Sequence, residues 1–368
     1  MPKLETQQFR SFERGIIQGV DHLLAPKQSV YFAVNVEFDK KIGSGIVRAG
    51  SADVGAAIAS DALGLCLGLH SFITSADVVH LVLAINDGPS ATNSDVYRLN
   101  SGTWTITDNI NLTKDIKHRF VTFLDTCAVS NGTDAVKTST DGTTWVSTGG
   151  VLNVANMPKF NTMIEWQDRI YGVKNNDDRL IFSSAAAPTM NYDNEAGGPF
   201  TVGETITGGT SSATAVISKL VDNGASGHLV LTDVKDTNGI HGTGVFTNNE
   251  TITGGTSGAT GKPDQTDFIG VWWDQTSGAG FIEIEPDDGG GTITALSKVP
   301  GYLIIFKERS MKRWNGVSTF PDDLVNIGTP TQESVCLARN TVFFFNERGI
   351  YETNGGYPVL RSRPVQDI

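Results

Sequence analysis

From Leu69 onward the apolar and polar positions follow one repeating rhythm. A first strand leads into a short, almost continuously apolar run, seen in HLVLAI at His80–Ile85, RIYGV at Arg169–Val173, YLIIF at Tyr302–Phe306 and TVFFF at Thr341–Phe345. Runs of that length bounded by turn residues fit strands buried on both faces. A more polar strand then carries Tyr97, Trp314 or Tyr351, although in the third unit Trp166 precedes the apolar run. Asn100–Gly102, Asp141-Gly142, Gln167-Asp168, Asn315-Gly316 and Asn354-Gly355 punctuate the strands. Asn-Gly and Asp-Gly pairs accept the positive φ angles of tight hairpin turns, so they mark predicted reversals. Units begin near His70, Arg119, Lys159, Thr292 and Thr329, mostly about 35–50 residues apart, the length of a four-stranded blade. The pattern predicts an all-β chain folded as a β-propeller of about five or six blades, some irregular.

Two segments break the rhythm. Residues 1–68 read as an arm and first strands: Tyr31–Phe38 alternates as a strand, and Ala52–Leu65 carries a weak helical pattern interrupted by Gly55 and Gly64. A strand from this arm is available to close the ring. The other break lies between the third and fourth units. Phe200–Thr214 (FTVGETITGGTSSAT) and Phe246–Thr260 (FTNNETITGGTSGAT) repeat at an offset of 46 residues, with ETITGGTS identical in both copies. Such biased composition also suits a disordered linker, but the TIT and HLVLTDV runs are strand patterns. The expectation is a small β-rich domain over 196–266, inserted between propeller segments 69–195 and 267–368. Phe200, Glu204, Phe246 and Glu250 mark it as a candidate interaction region.

Composition narrows the class. With 41 glycines in 368 residues and 18% charged residues, helical bundles and coiled coils are disfavoured. Twenty-eight basic against 40 acidic residues give a net charge of −12, which is not the positive field of a protein that grips DNA phosphates. No run of 18 or more apolar residues is present, so no membrane insertion is expected. Met1–Arg14 lacks the apolar core of a secretory signal. Cys66, Cys127 and Cys336 are far apart and in apolar surroundings. They read as buried thiols of a protein folded in a reducing compartment.

Candidate chemistry is sparse. Ser139–Trp145 (STDGTTW) resembles the Asp-box turn of sialidase-type propellers, one residue shorter than usual. There the Asp caps a tight turn, Gly takes an unusual backbone conformation and Trp packs beneath, so Ser139, Asp141, Gly142 and Trp145 are read as a structural turn. A sialidase also needs converging arginines, for which Arg119, Arg169, Arg179, Arg309 and Arg313 are available, and a Tyr nucleophile with a paired Glu. Asp177-Asp178, Asp287-Asp288 and Asp322-Asp323 could hold Ca²⁺ but fit no EF-hand loop and read as solvated turns. The histidines (His22, His70, His80, His118, His228, His241) show no metal-ligand spacing. Gly208-Gly209, Gly254-Gly255 and Gly289–Gly291 read as turns, not phosphate cradles. No enzyme activity, catalytic residue, metal or cofactor is expected.

The opening RGIIQGVDHLLAPKQSVYFAVNVEFDKKIGSGIVRAG resembles the start of propeller-type tail proteins of tailed bacteriophages, through Asn35, Val36, Phe38, Asp39, Arg48 and Gly50. TQESVCLARNTVFFFNERGIYETNGGYPVLRSRPVQDI is similar to their recurring blade, through Phe344, Gly349, Ile350, Tyr351, Asn354-Gly355 and Pro364. The ETITGGTSGAT unit is similar to small β repeats of phage virion proteins. This resemblance implies a non-enzymatic nozzle or hub protein of a short-tailed phage virion, made in the host cytoplasm and active in DNA ejection. Its partners would be further copies of itself in a homo-oligomeric ring, a hexamer being one form. Beyond the ring it would meet a tail adaptor and fibre or spike proteins, with genomic DNA passing through unbound. Family members often run past the position of Ile368, which allows a longer chain. The rival from another class is a glycan-binding or glycan-cleaving propeller on the virion surface, with Trp104, Trp145, Trp272, Trp273 and Trp314 available to stack sugars. A bacterial extracellular propeller module is a third reading, disfavoured by the absent signal peptide and unpaired cysteines.

Overall fold

The computed structural model describes Val36–Phe38, Gly45–Val47 and residues 66–362, apart from 75, 87–92, 108–109, 241–245, 265–268 and 286–288. Five antiparallel sheets follow one another along the chain. The first contains Cys66–Ile73, Val79–Asn86, Asn93–Asn100 and Thr103–Ile106, with Leu112–Thr113 added beside Asn93. The second has three strands, Arg119–Phe123, Thr126–Ser130 and Lys137–Ser139. The third starts with Thr162–Trp166, Arg169–Val173 and Arg179–Phe182, and takes its outer strand, Gly280–Glu283, from a hundred residues later in the chain. Ile293–Val299, Tyr302–Lys307, Met311–Trp314 and Asp322–Val325 form the fourth; Val335–Ala338, Thr341–Asn346, Gly349–Thr353 and Val359–Leu360 the fifth. Four-stranded meanders of this kind are propeller blades, and each begins within a few residues of its expected start.

The turns explain why the strands reverse where they do. Ser101-Gly102, Leu124-Asp125 and Gln167-Asp168 all have positive φ at both positions, the backbone of a two-residue hairpin whose twist matches its strands. Asn315 Oδ1 accepts from the amides of Val317 and Ser318, both at 2.9 Å, closing the third strand of the fourth sheet. The predicted hairpin at Asp141-Gly142 is reduced to a single bridge, Thr138 with Val146.

Consecutive sheets pack face to face. Phe72, Val82 and Val96 of the first meet Cys127, Val129 and Trp145 of the second in one buried cluster. Val121 and Ala128 meet Phe160, Met163 and Ile170 of the third. Trp166 and Tyr171 meet Leu303 and Trp314 of the fourth, and Phe306 and Met311 meet Phe344 and Tyr351 of the fifth. Full burial of each such side chain contributes about 1.5–3 kcal/mol. The first strands of successive sheets are the ones in mutual contact, as inner strands around a common axis are. Gln332, just before the fifth sheet, accepts from Thr162 Oγ1 at 2.6 Å and from Leu296 N at 2.8 Å, while Glu333 pairs with Arg119 at 2.5 Å. This short turn therefore ties the first strands of the second, third and fourth sheets together. A charged tie joins the third and fourth sheets: buried Lys307 donates to the carbonyls of Ile284 and Glu285 at 3.0 and 2.8 Å, and buried Lys312 to Glu285 Oε2 at 2.6 Å.

The insertion is a closed six-stranded antiparallel barrel. Around it run Ala187–Ala196, Gly227–Lys235, Thr214–Asp222, Thr205–Gly208, Ile252–Gly254 and Thr260–Pro263, the last pairing back onto the first. Its interior is filled by Met190, Tyr192, Phe200, Ile206, Leu229, Phe246 and Ile252, among others. The two repeats meet at Ile206–Gly254, Thr207–Thr253 and Gly208–Ile252, a register that exchanges equivalent positions and gives the barrel a local two-fold symmetry. The expected boundary at 196 is corrected to Ala187, because the strand carrying Met190 and Tyr192 is a barrel stave although it lies outside the repeat. The return strand Ile269–Gly270 runs beside Ala187-Pro188, so the barrel is spliced between the third and fourth strands of one sheet.

Two expectations about cysteines are also corrected. Cys127 is buried, but Cys66 and Cys336 are exposed, each lying outside the buried clusters of the described residues. The Ala52–Leu65 helical patch, most of the opening segment and Pro364 lie outside the described residues.

Candidate functional site

One gathering of chemically capable side chains lies where the barrel joins the third sheet. The chain leaves the sheet through Ser183–Ala186 and returns through Val271–Trp273. These runs lie side by side, with Ser184 N donating to Trp272 O at 2.8 Å and Trp272 N to Ser184 Oγ at 2.9 Å. His228, from a barrel strand, stacks flat on Trp272 with ring centroids 3.5 Å apart. Its Nε2 is 2.8 Å from Ser277 Oγ, which donates to the Asp274 carboxylate at 2.9 Å. Burial pushes the His228 pKa down to about 4, against the opposing pull of Asp274. With the Ser277 proton directed at Asp274, it is the Nε2-protonated tautomer of a neutral imidazole that donates to Ser277. Nucleophile activation needs the opposite order: imidazole accepting the serine proton, and the carboxylate on the far ring nitrogen. The cluster therefore welds barrel to sheet.

A cleft of about 590 Å³ opens beside this weld, lined by Asn153, Asn191, Asn223, Asp264, Trp272 and Trp273 among others. Tyr192 also lines it and donates to Glu195 Oε2 at 2.6 Å. This is the tyrosine–glutamate pairing a sialidase would use, but burial and the Glu195 hydrogen bond push the phenol pKa well up, which makes it a poor nucleophile. The arginines do not join it. Arg119 pairs with Glu333, Arg179 with Asp177 and Arg313 with Asp322, while Arg169 donates to the carbonyls of Ser183 and Gly278. Arg309 lines a separate cavity of about 720 Å³ between the fourth and fifth sheets, where Arg348, Glu308 and Glu347 balance the charge.

Phe200, Glu204, Phe246 and Glu250, expected to mark an interaction region, are all buried. They build the insertion and form no contact surface themselves. Glu204 accepts from its own repeat at Thr201 N (2.5 Å) and from the other repeat at Thr256 N (3.0 Å), Ser257 N (2.9 Å) and Ser257 Oγ (2.8 Å). Glu250 does the same in return, with Thr247 N at 2.6 Å, Thr210 N and Ser211 N at 2.8 Å and Ser211 Oγ at 2.7 Å. Burial alone would raise both carboxyl pKa values, but these donors outweigh it and hold them below the usual range. Each Gly-Gly-Thr-Ser loop cradles an anion after all, and that anion is the other repeat's glutamate. Gly208 and Gly254 are required by this approach, since a Cβ would come within 2.7 Å of the facing carboxylate.

The Asp-box segment forms a tight turn. Asp141 Oδ1 accepts from the amides of Thr143 and Thr144 at 2.8 Å and from Ser139 Oγ at 3.0 Å; Gly142 has φ +70°, and Trp145 is buried between the first and second sheets. The acidic pairs are engaged in ion pairs: Asp177 with Arg179, Asp178 with Lys307, Asp322 with Arg313 and Asp323 with Lys312. Among the described residues no three His, Cys, Asp or Glu side chains group as a metal site. His70 bonds Thr122 Oγ1 at 2.8 Å, His80 stacks on Phe72, and His118 bonds Ser94 Oγ at 3.0 Å. His22, His241 and Asp287-Asp288 lie outside the described residues. Trp145, Trp272 and Trp314 are buried and Trp273 donates to Leu152 O at 3.0 Å, which leaves Trp104 half-buried on the first sheet. The His228–Ser277–Asp274 cluster carries no spacing signal in the sequence. Among the described residues no helix is long and apolar enough to cross a membrane.

No family model matches the chain, and no curated protein matches it in sequence. Solved structures with a similar course include YCF48 bound to a D1 peptide, at a TM-score of 0.22 and 9% identity over 77% of this chain and 90% of that one. Apo AztD from Citrobacter koseri gives 0.25 and 9% over 79% and 88%, and the WD40 β-propeller domain of Doa1 gives 0.23 and 8% over 74% and 87%. Likeness at this level carries nothing about function. The chain is an all-β propeller with an inserted barrel, as its strand pairing shows.

Proposed function

We propose that the protein is a non-enzymatic structural component of a phage tail, of the nozzle or hub kind, which assembles with copies of itself and docks neighbouring tail components. The observation that supports this most is the mounting of the barrel. A domain with its own closed core is spliced into the outer part of one sheet by two adjacent strands and fixed by the His228–Trp272–Asp274 weld. Such a mounting holds a projecting module at a fixed angle, as a docking element requires. The side chains with catalytic potential are meanwhile engaged in structural bonds. In this reading a DNA conduit lies between copies of the chain. The acidic net charge of −12 suits a wall along which DNA slides.

The test is the mass in solution of the full chain and of a variant in which residues 187–270 are replaced by a two-residue turn. Ala187 pairs with Gly270, so the cut ends are already adjacent. The full chain should form rings, visible by electron microscopy, and the shortened chain should fold but fail to assemble or to bind tail components. A full chain that stays monomeric with its tail partners present would sink the reading. The cleft of about 590 Å³ with its asparagines and tryptophans favours the glycan-binding alternative, and a glycan array with the same two proteins separates the classes.

A further inference from the structure

The cleft beside the weld is walled by both regions of the molecule. Asn191, Asn223 and Asp264 reach it from the barrel, Asn153 from the segment between the second and third sheets, and Trp272 from the return run. The cleft therefore exists only because the barrel is mounted where it is. Two of these residues carry buried donors, Asn153 Nδ2 and Trp272 Nε1, that meet no acceptor among the described residues. Asn153 Oδ1 is already engaged, accepting from Asn156 Nδ2 at 3.3 Å. Folded chains rarely bury a donor without an acceptor, so both atoms point to a bound molecule that supplies one. The side chains of Asn191, Asn223 and Asp264 also form no hydrogen bond among the described residues.

The same lining sets the class of ligand. No lysine or arginine is on it, and its charged groups are the carboxylates of Asp264 and Asp274. Burial and the neighbouring Asp193 carboxylate push the Asp264 pKa up, the mark of a rim that already resists negative charge. Phosphates, sialic acids and uronic acids are repelled on that ground. What fits is a ligand dense in groups that both donate and accept, which side-chain amides, carboxylates and an indole N–H can pair with. Hydroxyls on a sugar ring are such groups, and its C–H faces suit aromatic side chains. The volume, about 590 Å³, falls within the roughly 300–1,000 Å³ of small-ligand sites. We propose that this cleft binds a short neutral saccharide through the Asn153 and Asn191 amides, the Trp272 N–H and the Asp264 carboxylate. The site rests on the glycan-binding alternative, to which it gives a place and a class of sugar, and it does not depend on the assembly proposed above.

The full chain is applied to an array of neutral oligosaccharides and their sialylated and uronic-acid counterparts, and the affinity of each hit is measured by titration. Neutral members should bind and acidic ones should not. Asn153 has a left-handed backbone, with φ 46°, which glycine adopts freely. Asn153→Gly therefore removes the amide without strain and should weaken binding about tenfold, the loss of one or two hydrogen bonds, with an unchanged unfolding midpoint. Asn191→Ala should act by a similar factor, while Arg309→Ala, in the separate cavity between the fourth and fifth sheets, should leave the affinity as it was. Asn223→Ala, on an exposed turn, takes the place of either cleft variant should it not fold. A preference for acidic glycans, or neutral binding unmoved by both cleft substitutions, overturns the assignment and leaves a glycan-binding protein with its site elsewhere. Binding to no member of the array overturns the assignment and the glycan-binding alternative together.

Discussion

The barrel and the ring of sheets use the same chemistry in opposite settings. In the barrel, Glu204 and Glu250 each collect two amides and a hydroxyl from the other repeat, in the interior and across a two-fold pair. In the ring, Asp141 collects two amides and a hydroxyl from its own turn, at the surface. The barrel bonds hold together strands far apart in sequence, while the Asp141 bonds shape a loop that its neighbours already hold. Burial and sequence distance, more than bond count, should then decide what each carboxylate is worth. Closure differs too: the barrel closes on its own strands, whereas among the described residues no buried cluster joins the fifth sheet of the ring to the first.

The sharpest way to break this comparison is to remove one barrel carboxylate. Glu204→Ala removes a buried acceptor shared by the part-buried amide bonds of Thr201, Thr256 and Ser257, at a cost of about 2–3 kcal/mol. Barrel strands should exchange their amide protons early in native-state hydrogen exchange while the sheet around Phe306 and Phe344 stays protected. Glu250→Ala should match it within about 1 kcal/mol, given the symmetry. Because both carboxyls have depressed pKa values in the fold, their stabilisation is complete above the ordinary glutamate range. It is lost as the pH falls through the folded values. Unequal effects of the two substitutions would mean that the two-fold pairing does not share its load.

Much of the ring was legible in the sequence, and much of the barrel was not. Strand starts near Arg119 and Thr162 follow from local signals, since apolar runs and Asn-Gly or Asp-Gly turns act within about ten residues. The barrel depends on contacts that cross from one repeat to the other. The identity of ETITGGTS at an offset of 46 announced a duplication. It could not say that each glutamate is bound by the loop of the opposite copy, because two arrangements, within a copy and across copies, use the same residues. Met190 and Tyr192 were assigned to the propeller because they lie outside the repeat, yet they line the barrel interior. The cysteines failed for a related reason: LGLCLGL and SVCLA look buried whether or not a sheet is there to cover them.

The weld between the two regions gives an effect of intermediate size. His228 has a folded pKa of about 4, well below that of an exposed imidazole near 6.5. Between those values the unfolded chain binds a proton that the folded chain does not, so stability rises with pH across this window and is complete above it. The loss at pH 4 is at most about 3 kcal/mol. His228→Gln should flatten the dependence between pH 6.5 and 4, read from urea midpoints. A variant that keeps the wild-type slope would show that the imidazole stays solvated and that barrel and sheet are held by backbone pairing alone.

Asp141→Ala should be the mildest change. Its carboxyl is held below the usual range because the donors of Thr144, Thr143 and Ser139, with Arg98 nearby, outweigh a burial that would raise it. The orphaned amides of Thr143 and Thr144 are exposed, so water replaces the lost acceptor and the expected cost is about 1 kcal/mol. Trp145 should stay in its cluster, since its partners Val82, Cys127 and Val129 come from other strands, and its fluorescence should keep the emission maximum of a buried indole. A cost equal to that of Glu204→Ala, or a red-shifted emission, would show that the turn organises the packing between the first two sheets, and burial would then not be what separates the two carboxylates.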